Sequence, residues 1–411
     1  AVSEAPWANE SSAAAAAAAK SLGLPQLDTT ATAPGVHEIE GDVACLLAFK
    51  RPAWKTACFH LLGICSLGIV YLVAFWSHMF KLRLTHTNCG LADADAVFVE
   101  LNDKRSAICQ VQRILPPGAP PSAEHRFFEF HKVRFLWYSD QHAFRAVPDV
   151  PPLLPRMALD AAAAVGEAAA QLSGASAHLH GPACCAESVR TLHALQYGQN
   201  VLLVDAPSLV RIFLHDALQP FYVFQYFSVI LWAFEDYYLY SGIVLVITMA
   251  SIIANVWSQY TERKRMSQMA YFVADVQALV ANTNRSGRTS VMRLPLSSAD
   301  LVPGDVIVVA PGKVSCDMLL LSGECVVDET VLTGECVPVR KAAYSPDVDG
   351  GSYHPDTLPQ VTMFSGTTVL SARGAGVGRS ALAMVVRTGF NTSKGRLLRS
   401  ILFPKQHDLQ F

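Results

Sequence analysis

Residues 220–257 form an apolar stretch whose only charged side chains, Glu235 and Asp236, fall near its middle. At about 1.5 Å per residue, one helix of that length would overshoot a bilayer core of about 30 Å, whereas two helices broken at the acidic pair would fit. Glu235, Asp236, Tyr237, Tyr238 and Tyr240 suit a short interfacial loop, and Arg263, Lys264 and Arg265 hold the returning end in the cytosol. The stretch is therefore predicted to be a transmembrane hairpin with both ends cytosolic. Reading Glu235 and Asp236 as intramembrane acids on a cation path is weaker, because they lie between two spans.

The chain as a whole agrees with a membrane protein. Of its 411 residues 51% are hydrophobic and 16% charged, which is too apolar for an ordinary soluble protein. A net charge of -2 gives no reason to expect a nucleic-acid partner. Ten cysteines lack any Cys-x-x-Cys pair, and the adjacent Cys184 and Cys185 sit in an alanine-rich stretch, so free thiols are expected rather than a disulfide or metal framework.

A second apolar block, 57–76, has no acidic or strongly basic member and is just long enough to span a bilayer core. Both flanks are basic, with Lys50, Arg51 and Lys55 before it and Lys81 and Arg83 after it, so the positive-inside rule favours neither end outside. A re-entrant hairpin, bent at Gly63 or Gly68, is predicted over residues 43–81 in preference to a simple crossing.

The remaining segments divide by periodicity. Residues 1–42, with a seven-alanine run at 13–19, form a low-complexity N-terminus without a secretory signal. Short alternating runs at 96–101, 127–130 and 133–138 predict a small β-rich cytosolic domain over 82–147. An Ala/Pro-rich linker follows at 148–185, with one weak helix at 158–172, and then a cytosolic helical lead-in at 186–219. The transmembrane pair occupies 220–257. Residues 258–397 open with a charged helix at 260–269 and continue as short strands between Gly, Pro and Asp turns, as at 313–327 and 360–370, predicting a distorted jelly roll or β-barrel. The chain is polar and basic from 389, with 398–411 as a tail.

One loop in this last domain carries chemistry. The run Val327-Asp328-Glu329-Thr330-Val331-Leu332-Thr333-Gly334-Glu335-Cys336-Val337-Pro338-Val339 puts a carboxylate on a glycine-hinged turn between two apolar strands. Glu335 has the chemistry to orient a water in line with the phosphorus of an acyl phosphate. Gly334 allows a tight turn and close approach of another domain, and the Thr333 hydroxyl can donate to a phosphate oxygen or pin the loop. Asp328 and Glu329 are expected to cap the loop and solvate its base. Thr-Gly-Glu alone is an ordinary surface turn. Its weight comes from the upstream turn Pro303-Gly304-Asp305, which feeds the β-branched strand Val306-Ile307-Val308-Val309; Pro303, Gly304, Asp305, Cys336 and Pro338 are its candidate supports.

These two elements resemble the actuator domain of P-type ATPases. Further stretches resemble the N-terminal third of the type V group, subgroup B, whose characterised members move polyamines out of late endosomes and lysosomes. They are Leu218-Gln219-Pro220-Phe221-Tyr222-Val223-Phe224-Gln225, Asp236-Tyr237-Tyr238, Arg387-Thr388-Gly389-Phe390 and Thr392-Ser393-Lys394-Gly395. The resemblance covers 43–404 with a gap over the linker.

It implies an integral membrane protein of late endosomes or lysosomes, with a cytosolic N-terminus and actuator domain and a polyamine or other cation as substrate. Glu335, with Thr333 and Gly334, would direct water at an aspartyl phosphate on the phosphorylation domain of the same protein. Lys50, Arg51, Lys55, Lys81 and Arg83 would meet acidic phospholipids, or only anchor the hairpin.

The chain departs from the family in two ways. Cys336 stands where serine usually follows the glutamate, and a thiol is the weaker donor. No Asp-Lys-Thr-Gly-Thr segment, nucleotide-binding domain or proline-containing transport helix is present. The expectation is an N-terminal portion that stops before a third transmembrane helix and is inactive alone, with ATP and Mg2+ bound elsewhere in the full-length enzyme. Two other readings stay open: a short non-catalytic membrane protein that binds lipid or regulates a pump, and a pump for inorganic cations.

Other motifs carry less. Asp347-Val348-Asp349-Gly350-Gly351 opens like a calcium loop but lacks the third spaced acid and closing glutamate. Asn391-Thr392-Ser393 matches a glycosylation acceptor but falls in a cytosolic segment. His125, His131, His178 and His180 share no ligand spacing, so no metal site is expected.

Overall fold

Alternating apolar side chains build two β-rich bodies, one on each side of the helical segment in the chain. The computed structural model describes residues 43–404 apart from 102–105, 115–124, 139–142, 152–186, 205–206, 284–288, 346–352 and 375–379. The predicted helix at 158–172, the Asp347 to Gly351 motif, His178, His180, Cys184, Cys185 and the N-terminus 1–42 lie outside the described residues.

The first body has two antiparallel sheets. β1 (Val43–Lys50), β2 (Thr87–Asn88), β3 (Ala96–Leu101) and β4 (Ser106–Gln110) pair in the order β2-β1-β3-β4. β5 (Gln112–Ile114), β6 (His125–Phe130), β7 (Val133–Tyr138) and β8 (Ala143–Ala146) pair in sequence order. Phe128 stacks on Phe135 at 4.8 Å and meets Phe144 edge-on, filling a core with Val97 and Val99.

The start of the expected membrane-inserted segment, 43–81, differs from its helical reading. Val43–Lys50 is a strand, with Leu47 opposite Phe98 and Phe49 opposite Ala96. Leu47, Phe49, Phe98 and Leu82 form one buried cluster. A short apolar run reads equally as strand or helix, and here long-range pairing decides.

Helices Ala53–Cys65 and Ile69–Trp76 follow, bent by 119°. Leu67 and Gly68 turn the chain with φ of 51° and 89°, while Gly63 stays within its helix. A further helix, His78–Thr85, begins at Ser77, whose hydroxyl accepts from the Phe80 amide.

Beyond the linker come helices Glu187–Tyr197, Leu209–Ala217 and Pro220–Phe234, the last two bent by 67°. The helix Tyr238–Ala270 then runs unbroken for 33 residues. The charged segment 260–269 is thus its continuation and not a separate helix, since no glycine or proline lies between residues 243 and 270. Hydrogen bonds join the helices along one seam: Thr248 to Gln225 (2.8 Å), Asn255 to Tyr222 (3.2 Å) and Gln259 to Asp216 (2.7 Å). Among the described residues, one helix is long and apolar enough to cross a membrane, or up to three if each bent pair counts as one span.

The second body comprises β9 (Asp275–Thr283), β10 (Thr289–Ser297), β11 (Val306–Val309), β12 (Gly312–Lys313), β13 (Asp317–Ser322), β14 (Glu324–Asp328), β15 (Val339–Ala342), β16 (Thr362–Met363), β17 (Thr368–Arg373) and β18 (Ala381–Arg387). One sheet has the order β10-β9-β11-β18-β13-β16 and the other β12-β17-β14-β15. Ile307, Leu320, Cys325, Val327, Met363 and Val385 fill the core they share. The basic end of the chain is ordered as helix Ser393–Leu402, N-capped by Thr392, whose hydroxyl accepts from the Gly395 amide at 3.0 Å.

Candidate functional site

β14 ends on Asp328, and this carboxylate starts the site. It accepts the Thr330 amide at 3.0 Å and the Thr330 hydroxyl. These bonds turn the chain into the one-turn helix Thr330–Thr333 and hold the Asp328 carboxyl below the usual range. The turn closes at Gly334, left-handed with φ 78°, whose amide donates to the Thr330 carbonyl at 2.9 Å. The Thr333 hydroxyl donates to the Glu329 carbonyl (3.1 Å) and accepts from the Glu335 amide (3.2 Å). The Thr330 hydroxyl shares its proton between Asp328 and the Glu335 carbonyl, 3.1 Å away.

Both backbone groups of Glu335 are therefore tied into the turn, while its side chain is exposed. Cys336 and Pro338 are exposed beside it. Val331 and Val337 are 72% and 71% exposed, so an apolar rim flanks the carboxylate. Nothing in the sequence marked this rim.

Pro303, Gly304 and Asp305 form the turn before β11, and what they contact is the lead-in helix Glu187–Tyr197 and β18. His193 Nδ1 lies 2.7 Å from the Pro303 carbonyl, Arg190 pairs with Asp305 at 3.4 Å, and the Gly304 amide donates to Val385 (2.8 Å). Asp305 also accepts the Val302 amide at 3.1 Å; burial raises its carboxyl pKa despite that bond and the Arg190 charge.

Beside the loop lies a cavity of about 560 Å³ lined by Glu329, Thr333, Asp356, Phe364, Ser393 and Arg396. Asp356 accepts paired bonds from the buried Arg387 (2.9 and 3.0 Å) and from Arg396 (2.9 and 3.3 Å). Arg387 first, with Arg396, holds its carboxyl well below the usual range. Asp317 accepts the amides of Ser365 (2.8 Å) and Ser393 (2.9 Å) and the Ser393 hydroxyl (3.1 Å). Arg387 and Ser393 were legible in the sequence only as parts of resembling motifs; their duty here is to knit β13, β18 and the last helix together.

The basic candidates near the N-terminus are partly brought together. Burial first, then the charges of Arg51 and Lys81 and a smaller one from Lys55, against that of Asp95, lowers the His86 pKa. Lys55 donates to the His86 carbonyl at 2.9 Å and Arg51 to the Thr56 hydroxyl at 3.2 Å. Lys50 ends β1, and Arg83 lies on helix His78–Thr85. Among the described residues no group of three or more His, Cys, Asp or Glu is arranged to hold a metal ion.

Residues 276–402 match the P-type ATPase actuator domain, so the second β-rich body is that domain and its exposed turn is the Thr-Gly-Glu loop. Residues 40–119 match the P5-type ATPase cation transporter family, and the chain belongs to that family. It is 30% identical to human polyamine-transporting ATPase 13A3 over 91% of this chain and 32% of that protein. Human polyamine-transporting ATPase 13A2 is 28% identical over 87% of the chain and 32% of its own length. The yeast vacuolar cation-transporting ATPase YPK9 is 29% identical over 89% and 26%. The chain thus spans about a third of the length of these relatives.

Proposed function

We propose that this chain is the N-terminal portion of an ATP-driven transporter of subgroup B, moving polyamines or other organic cations, and that its Thr-Gly-Glu loop hydrolyses the aspartyl-phosphate intermediate. The observation that carries this reading is Glu335: an exposed carboxylate on a turn whose backbone is hydrogen-bonded on both sides, rimmed by Val331 and Val337.

Docked on the phosphorylation domain, Glu335 takes a proton from the attacking water as its oxygen bonds to phosphorus. The bond from phosphorus to the aspartyl oxygen breaks, and that electron pair returns to the aspartate as carboxylate. Inorganic phosphate leaves. ATP and Mg2+ are held by other domains of the full-length protein. The names of the human relatives support polyamine as the substrate class.

In this reading the bent pair Ala53–Cys65 and Ile69–Trp76 is a re-entrant element in the cytosolic leaflet, supported by its 119° bend and basic flanks. Arg51, Lys55 and Lys81, with Lys50 and Arg83, face acidic phospholipid headgroups. The actuator domain is a distorted jelly roll on the cytosolic side, and the pump works in an endolysosomal membrane.

The test is phosphoenzyme turnover in the full-length protein. Glu335→Gln should accumulate phosphoenzyme and slow its decay about a hundredfold or more, and decay in the unaltered protein should speed up with spermine and not with K+. Normal decay in Glu335→Gln would overturn the role of Glu335; stimulation by an inorganic cation alone would overturn the substrate class.

A further inference from the structure

Under the exposed turn lies a charged pair that an apolar core would not require. Lys341 Nζ is 2.7 Å from the Glu329 carboxylate, and the two side chains are only 2% and 9% exposed. Strand alternation explains the burial. On β15, Arg340 points outward to Glu324, while Lys341, opposite Cys325 on β14, points under the loop. The Lys341 ammonium also donates to the Pro359 carbonyl at 2.8 Å and sits 5.4 Å from the centre of the Phe364 ring.

The partner in this pair belongs to the loop itself. The Glu329 carbonyl accepts the amides of Leu332 (2.9 Å) and Thr333 (3.0 Å) and the Thr333 hydroxyl (3.1 Å). That hydroxyl in turn receives the Glu335 amide. An unbroken line of contacts therefore runs from Lys341 through Glu329 and Thr333 to Glu335.

We propose that Lys341 is a positioning residue for dephosphorylation, fixing the turn from below so that Glu335 meets its water at one height and angle. The proposal rests on the role assigned to Glu335. A buried ion pair adds little net stability compared with an apolar pair of similar volume, so what this one supplies is the location of Glu329. Misplacing a reacting group by about 1 Å costs up to about a hundredfold in rate, and Lys341 is the cation that holds the Glu329 carboxylate in place.

The experiment measures phosphoenzyme formation from ATP, phosphoenzyme decay and thermal stability in a full-length pump carrying this segment. Lys341→Met should leave formation unchanged, slow decay by about ten- to a hundredfold and lower thermal stability, since Glu329 is left charged and unpaired. Glu329→Gln keeps an oxygen for the ammonium and should decay within a few-fold of the unaltered protein. Glu329→Leu combined with Lys341→Met should regain thermal stability yet still decay slowly. Decay restored together with stability in that double variant would show a merely structural pair and overturn the proposal. So would normal decay in Lys341→Met alongside slow decay in Glu335→Gln. Normal decay in Glu335→Gln itself would overturn the reading of the base instead.

Discussion

Lys394 Nζ lies 3.0 Å from the carbonyl oxygen of Met269 and 3.5 Å from that of Ala270. A cation from the first turn of the last helix thereby caps the end of the long helix Tyr238–Ala270, where carbonyls lack helical partners and the dipole is negative. The actuator domain is tied by this contact to the long apolar helix.

Lys394→Met should leave those carbonyls without the ammonium and cost about 1 to 2 kcal/mol. Thermal unfolding of the detergent-solubilised protein should show a lower midpoint. Hydrogen exchange should rise at 266–271 more than in the strands of the core.

Asn200 joins the lead-in to the actuator domain. Its side-chain amide donates to the Ser298 carbonyl at 2.9 Å, and its oxygen accepts the Gly389 amide at 2.9 Å, both out of solvent. Asn200→Ala strands one buried donor and one buried acceptor, so a loss of about 2 to 3 kcal/mol is expected in denaturant unfolding.

Two left-handed glycines should separate fold from function. A Cβ at Gly323 (φ 94°) would lie 2.3 Å from the Arg373 carbonyl oxygen, whereas one at Gly334 (φ 78°) would meet nothing within 4 Å. Gly323→Ala should therefore destabilise the domain severely, and Gly334→Ala should cost only the backbone strain of about 1 to 2 kcal/mol. Yet Gly334→Ala should slow phosphoenzyme decay strongly, because its methyl group stands where the phosphorylated domain must approach. Thermal unfolding and decay rates measured on both variants test the contrast.

The pH dependence should carry the mark of Asp317. Burial is the main cause that raises its carboxyl from 3.8 to about 6, against the bonds from Ser365 and Ser393 and the charge of Arg387. An acid that binds its proton more tightly when folded makes folding less favourable as it ionises. Its contribution to stability falls between about pH 4 and 6, by at most about 1.4 kcal/mol per unit, and is flat above. Asp356, held low by Arg387 and Arg396, stays ionised through that window. The unfolding midpoint of the unaltered protein minus that of Asp317→Asn should decline from pH 4 to 6 and then level off.

Much of the architecture was legible because it follows from local pattern. The apolar stretch broken at Glu235 and Asp236 marks the helix break at 235–237, and the alternating runs at 96–101 and 133–138 coincide with β3 and β7. Runs without a distinctive period misled: Val43–Lys50 is apolar enough for a membrane helix but pairs with β3, and the charged segment 260–269 reads as a separate unit but continues a helix. In the loop, the exposed carboxylate of Glu335 and the tight turn at Gly334 could be read from residue type, and the apolar rim of Val331 and Val337 could not.

By itself, then, the sequence determined the apolar helical segments, the two β-rich bodies and the residue types at the tip of the loop, because hydropathy, period and turn chemistry are properties of neighbours along the chain. Only the tertiary structure decided that Lys341 reaches Glu329 beneath that tip, that Lys394 caps the helix ending 124 residues earlier at Ala270, and that Asn200 bonds to Gly389 across 189 residues. Such contacts come from how sheets and helices pack, and burial then fixes which of many solvent-facing charges in the sequence becomes a paired and positioned one.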